Sequence, residues 1–177
     1  MTEEVCSFDV ETFAARHPGM PPSLAIFARA ALGFHGGSPR SFRALRGDVE
    51  RPASVAFAAP DARTSAGFQR EPIVEYGAVV LAGLLLSVWE GKQLTRVVQR
   101  GTRVDYFVGD ATGDERWVIE VGGTDGQRHA ATRTAKRKQL DESLYRKPPF
   151  NKGGFVGATR FAEPSVTSLD AFPAGAP

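Results

Sequence analysis

Two acids, Asp105 and Glu120, sit in strand-forming apolar surroundings, V-D-Y-F-V and V-I-E-V, on either side of a turn rich in Gly and Asp. A charge in such a segment is costly unless it is neutralised or used. A hairpin centred between Thr112 and Gly113 pairs Tyr106 with Ile119, Val104 with Val121 and Val108 with Trp117, which makes one apolar face by two-residue alternation. The other face then carries Asp105 opposite Glu120, Phe107 opposite Val118 and Arg103 opposite Gly122. Directly opposed side chains have Cβ atoms about 4.5–5.5 Å apart, and like charges there repel. Three chemistries relieve that repulsion: a hard divalent cation such as Mg2+ held through oxygen ligands, a shared proton, or the guanidinium of Arg103. The plain alternative is a hairpin end whose acids are solvated or bridged by Arg103, an arrangement worth only about 0–1 kcal/mol.

The neighbouring elements must hold this hairpin. Strands are expected over 94–99, 103–108 and 116–121, each rich in Val, Ile, Thr or aromatic residues and bounded by Gly or Asp. A helix should precede them from Pro72 to about residue 90, closed by Gly91, with apolar residues on almost every side. After the G-G-T-D-G loop a second helix is expected over 129–145, stopped by Pro148, and then a strand over 154–161. The order is helix, three strands, helix, strand. Residues 1–70 carry weaker signals: a helix over 23–32 with Ser23 as N-cap, and a short strand over 55–58. They are expected to form an irregular extension with one short helix, residues 71–163 the core, and residues 164–177, rich in Pro, Ala, Gly and Ser, a flexible tail.

Composition narrows the function classes. A chain of 177 residues, 42% apolar and 24% charged, is sized for one globular domain. The net charge of +2 is too small for a dedicated nucleic-acid coat, but eight Lys or Arg fall between Arg128 and Lys152. Within that stretch Arg133, Lys136, Arg137 and Lys138 form a basic helix suited to phosphates, or simply a solvated face. One cysteine, Cys6, leaves no disulfide or Cys pair for zinc, and His17, His35 and His129 lack metal-ligand spacing. The uncharged run 76–89 is shorter than the roughly 20 residues that span a bilayer, and residues 1–9 lack the pattern of a secretory leader. A cytoplasmic protein without membrane attachment is the expectation.

The segments GTRVDYFVGD and RWVIEVGGT, in the order helix, β, β, β, helix, β, resemble the core of the PD-(D/E)XK superfamily, the restriction-endonuclease-like fold. The resemblance implies an α/β fold with an α-β-β-β-α-β core whose mixed sheet is flanked by helices. It implies that Asp105 and Glu120 hold Mg2+, with Glu75 on the opening helix as an auxiliary ligand. That family places a lysine two residues past its second acid, where this chain has Gly122. Lys136 or Lys138 would have to reach back from the following helix, and Arg103 could supply charge but not a comparable proton acceptor. The functional expectation is therefore a nuclease-fold protein, catalytically impaired, that binds DNA or RNA, through Arg103, Arg133, Lys136, Arg137 and Lys138, or a protein partner. One alternative is an active Mg2+-dependent nuclease, a phosphodiesterase with Asp105, Glu120 and Lys136 or Lys138 as its catalytic groups. The other is a non-catalytic adaptor subunit that uses residues 1–70 as its interface.

Overall fold

A computed structural model gives the positions of residues 5–99 and 101–174. In chain order the elements are β1 (Cys6–Asp9), a 3-10 turn (Val10–Thr12), α1 (Phe13–Arg16), α2 (Leu24–Gly33), β2 (Arg40–Arg46), β3 (Val49–Ala56), α3 (Ala62–Gly67) and α4 (Arg70–Glu90). There follow β4 (Gln93–Val97), β5 (Tyr106–Gly109), β6 (Trp117–Thr124), α5 (His129–Glu142), a second 3-10 turn (Leu144–Arg146), β7 (Gly153–Arg160) and β8 (Val166–Phe172). The chain is an α/β protein in which these eight strands form one mixed sheet, in the order β1-β3-β2-β8-β7-β6-β5-β4. The pairs β1/β3, β2/β8 and β6/β7 are parallel and the rest antiparallel.

Helices cover both faces. Alternation along β6 sends Ile119 and Val121 into the core shared with α2 and α4, and Val118 into a second cluster with Leu140 of α5. By the same alternation Glu120 lies on the α5 side. Helix α4 carries Pro72 in its first turn, where the missing N–H is tolerated, and ends at Gly91 with φ 61°. There the Gly91 N–H donates to Ser87 O at 3.2 Å, the 5→1 bond of a left-handed helix cap, and the Lys92 N–H donates to Leu86 O at 3.4 Å. By length and composition α4 could cross a membrane, but 67% of its most apolar stretch is buried inside the protein, as in a core helix. It approaches β6 so closely that a Cβ on Gly123 would stand 2.3 Å from the Val74 carbonyl oxygen. That contact fixes the neighbouring Glu75 beside the strand bearing Glu120. Buried His17 fastens α1 to β4: its Nδ1 accepts the Leu94 N–H at 3.0 Å, and desolvation lowers its pKa to about 4.

Several sequence expectations need correction. Residues 1–70 are not an irregular extension with one short helix, because β1, β2 and β3 supply three strands of the common sheet. Strand β2 alternates inward Arg40, Phe42 and Ala44 with Ser41 and Arg43, a period blurred by a buried arginine and a small alanine. Strand β3 contains Pro52, which normally argues against an interior strand. It is accommodated because β1 pairs only with Ala53 through Ala56, and Arg43, opposite Pro52, turns its N–H to Ser165 O of the other neighbour. Nor is the segment from residue 164 a flexible tail through its length, since β8 lies inside the sheet between β2 and β7. Residues 175–177 lie outside the described part. Helix α2 begins after Ser23 as expected, but the serine side chain makes no capping bond.

Candidate active site

The β5/β6 pairing is the centred one: Tyr106 with Ile119, Phe107 with Val118, Val108 with Trp117. The ladder stops at Tyr106, so Asp105 sits one residue before β5 and does not face Glu120 inside it. Three bonds fix it instead. Its N–H donates to Ile119 O at 3.0 Å, its carbonyl oxygen accepts from the Val98 N–H at 3.0 Å, and its Oδ2 accepts from the Val121 N–H at 2.7 Å. The alternation slips here, because Val104 packs with Phe107 and Val118 and not, as expected, with Tyr106 and Ile119.

The two acids meet through a lysine. Lys136, on α5, donates from Nζ to Glu120 Oε2 at 3.0 Å and stands 3.7 Å from Asp105 Oδ2. The side chains grade from closed to open: Glu120 is 4% exposed, Lys136 18% and Asp105 36%. Gly122, which follows Glu120 by two residues and points to the same side, makes room for this lysine. A Cβ there would lie 3.1 Å from both Cγ and Cε of Lys136 and 2.8 Å from Thr132 Cγ2.

Desolvation and the nearby Asp105 push the Glu120 carboxyl up to about 8, against the pull of Lys136. For Lys136 burial works against the charge, but Asp105, Glu120 and Glu75 outweigh it and hold the ammonium above the ordinary lysine value. The two shifts pull opposite ways across one hydrogen bond, since one favours a neutral acid and the other a charged base. Three carboxylates surround one ammonium, so Lys136 keeps its proton and Glu120 is the group that gains one as the pH falls. Glu75 is raised chiefly by desolvation; Lys136 opposes this, and Asp105 and Glu71 add to it.

A cleft of about 690 Å3 opens over these groups, walled by Glu75 and Tyr76 of α4, by Tyr106, and by Val97, Val98 and Arg103 of the β4–β5 segment. A second lobe of about 570 Å3 continues past Gly122 and Gly123 to Arg70 and Gln127. Glu71, Glu75, Lys136 and Gln139 line both lobes. Asp125 steadies the G-G-T-D-G loop beside the second lobe, receiving Arg70 Nε at 2.6 Å and lying 2.8 Å from His35 Nε2.

The remaining candidate residues are dispersed. Arg103, with φ 59°, does not neutralise the acid pair or lie against Gly122, since its guanidinium pairs with Glu142 of α5. Arg133 turns to the far side and donates from Nε to Asp170 Oδ2 at 2.6 Å. Arg137 bonds Asp141 at 2.8 Å and covers the ring of Phe172. Lys138 is exposed and absent from the cleft walls. The basic helix is thus not one phosphate-binding face, because Lys136 points into the cleft while Arg133 and Arg137 are committed elsewhere. The sequence gives no signal for Tyr76 as a cleft residue, and it places Tyr106 on the apolar face of the hairpin and not at a site; Gln139 likewise enters only with the structure. Gln139 lies three residues after Lys136, so helical spacing is a signal for it, whereas Tyr76, next to Glu75 in sequence, has none.

Among the described residues, no three His, Cys, Asp or Glu side chains gather closely enough to enclose a metal ion by themselves. Asp105 and Glu120 do offer hard oxygen donors under electrostatic tension. That donor set fits a Mg2+-like ion, which commonly takes one or two carboxylates and fills its other positions with water and phosphate oxygens. Comparison of the chain with known protein families, curated proteins and solved structures finds no match.

Proposed function

We propose that α4 through β7 form a restriction-endonuclease-like core of the PD-(D/E)XK kind, and that the protein is a divalent-metal-dependent nuclease acting through Asp105, Glu120 and Lys136. The observation that carries this reading is the Lys136 ammonium, 3.0 Å from Glu120 and 3.7 Å from Asp105, with its stem lying across the glycine where the motif has its lysine. The order α4-β4-β5-β6-α5-β7, with β4, β5 and β6 antiparallel and β6 parallel to β7, supports the same reading.

Asp105 and Glu120 would hold the cation, which when bound polarises a phosphoryl oxygen and lowers the pKa of a coordinated water. Lys136 directs N–H donors at the region where charge grows on the phosphate, and its position is set before substrate arrives. Val121 contributes through its backbone, since its N–H fixes the Asp105 carboxylate at 2.7 Å. Glu75, with its raised proton affinity, is suited to hold a proton on the opposite wall.

The glycine at position 122 favours a catalytically impaired binder, and the position of Lys136 beside both acids supports the catalytic reading over it. The adaptor reading needed residues 1–70 as a separate interface, and it loses that support with β1–β3 built into the sheet. A cytoplasmic location suits a nucleic-acid substrate. The test is incubation of the purified chain with labelled DNA or RNA and Mg2+ or Mn2+. Cleavage is expected, ending on chelation and falling by about 100-fold or more in Asp105→Ala and Lys136→Ala. Intact nucleic acid with every metal, from folded protein, would remove the catalytic reading and leave the impaired binder.

A further inference from the structure

The cleft carries aromatic rings beside its acids. Tyr76 immediately follows Glu75 on α4, lines the same cleft and is 43% exposed. Its ring rests on Phe27 at 5.1 Å between centroids, and Phe27 meets the 53% exposed Phe68 at the same separation. Tyr76 is therefore a braced ring with an open surface, and it needs little ordering to receive a flat partner. Val97, also exposed, belongs to the β4–β5 side of the same cleft.

The charges of the cleft argue against a duplex. Among the described residues the cationic side chains lining the two lobes are Arg70, Arg103 and Lys136, and each is already paired, with Asp125, Glu142 and the acid pair respectively. Glu71, Glu75, Asp105 and Glu120 share those walls. Either form of nucleic acid finds few uncommitted Lys or Arg for its phosphates here, so binding must draw on stacking, which the free bases of a single strand can supply and the paired bases of a duplex cannot. The reactive groups are also recessed, with Glu120 almost fully buried below Asp105, so a phosphate must enter the cleft to reach Lys136. A flexible strand with unstacked bases can do this, whereas a stiff duplex resists the bending it would need.

Resting on the nuclease reading of the same site, we infer that its substrate is single-stranded nucleic acid, held by stacking of a base on Tyr76 next to the scissile phosphate. Tyr76 is then a specificity-determining residue. Stacking is indifferent to base identity, so the preference is for strandedness and not for sequence.

The test is binding of the full chain, in chelator so that nothing is cleaved, to fluorescent oligo-dT and oligo-U of about 12 nucleotides and to a duplex of equal length. Single strands are expected to bind more tightly than the duplex. Tyr76→Ala should weaken single-strand binding about 5- to 150-fold, and Tyr76→Phe should stay within about twofold of the parent. Duplex binding as tight as single-strand binding, or binding indifferent to Tyr76→Ala, overturns the inference while leaving the nuclease reading standing; the aromatics would then serve another partner. Absence of binding overturns it as well, and absence of both binding and metal-dependent cleavage removes the two readings together.

Discussion

The stem of Lys136 occupies the space a side chain at Gly122 would need, with the position of the absent Cβ 3.1 Å from both Cγ and Cε of the lysine. Glycine and lysine are thus one unit: the strand gives up its side chain so that the helix can deliver an ammonium to Glu120.

Gly122→Ala should therefore destabilise the protein by about 1–3 kcal/mol through overpacking against Lys136 and Thr132. In a Lys136→Ala background the same change should cost less, because two of its three closest contacts are gone. A double-mutant cycle by urea unfolding reads the coupling, expected at about 0.5–3 kcal/mol. Equal costs in both backgrounds would mean that the two positions do not share space.

The raised Glu120 carboxyl gives a second prediction. Its folded pKa of about 8 lies above the ordinary 4.5, so the folded state binds a proton that the unfolded state releases. The stability this contributes is fully present below about pH 4.5 and is lost as the pH rises through about 8. Unfolding free energy measured across that window should fall in the parent, and the fall should be smaller in Glu120→Gln. Cation affinity should run the other way, rising with pH as Glu120 ionises. An unchanged slope in Glu120→Gln would assign the effect to another group.

Much of this site is legible in the sequence, and the part that is not has identifiable causes. Tyr106, Ile119, Val108 and Trp117 alternate strongly enough to fix the β5/β6 register, since a slip of one residue would put every apolar side chain on the wrong face. Asp105 escapes that logic. It lies beyond the ladder, and the bonds that fix it to Val98, Ile119 and Val121 are largely made by backbone atoms, which leave no mark on residue type. Lys136 and Lys138 could not be separated from sequence, because choosing between them requires the rotation of α5 about its axis, which Leu140 and Thr132 set by burial. Strands β2 and β8 stayed hidden for a related reason. Their inward positions include Arg40 and Ser168, buried polar groups whose partners, Ser165 and His129, are remote in sequence.

Arg133 supplies a third prediction, which separates a structural cation from a substrate-binding one. Its guanidinium makes paired bonds to the nearly buried Asp170 and a further bond to Gly47 O at 3.0 Å. Asp170→Ala should cost about 1–3 kcal/mol by removing the main partner of a partly exposed guanidinium that keeps Gly47 O, whereas nucleic-acid affinity measured on the folded fraction should stay the same. A loss of affinity in Arg133→Ala with no loss of stability would return Arg133 to the binding face.

The pairing of Lys136 with Gly122 also predicts that the ammonium can be moved. Lys136→Ala should reduce metal-dependent cleavage by about 100-fold or more, since the acid pair loses the ammonium that bridges it. Adding Gly122→Lys to that variant restores a lysine two residues past Glu120, on the face that points at the cleft. The aliphatic stem of the replaced lysine no longer blocks it, and Thr132→Ser removes the Cγ2 that would stand 2.8 Å from the new Cβ. The triple variant should recover about tenfold or more of the lost rate, because a positioned ammonium acts through where its charge stands and not through which element carries it. The measurements are single-turnover cleavage rates at saturating metal, with unfolding curves to establish that each variant is folded. A folded triple variant no faster than Lys136→Ala would show that Lys136 contributes something a lysine on β6 cannot, and the equivalence of the two positions would fall.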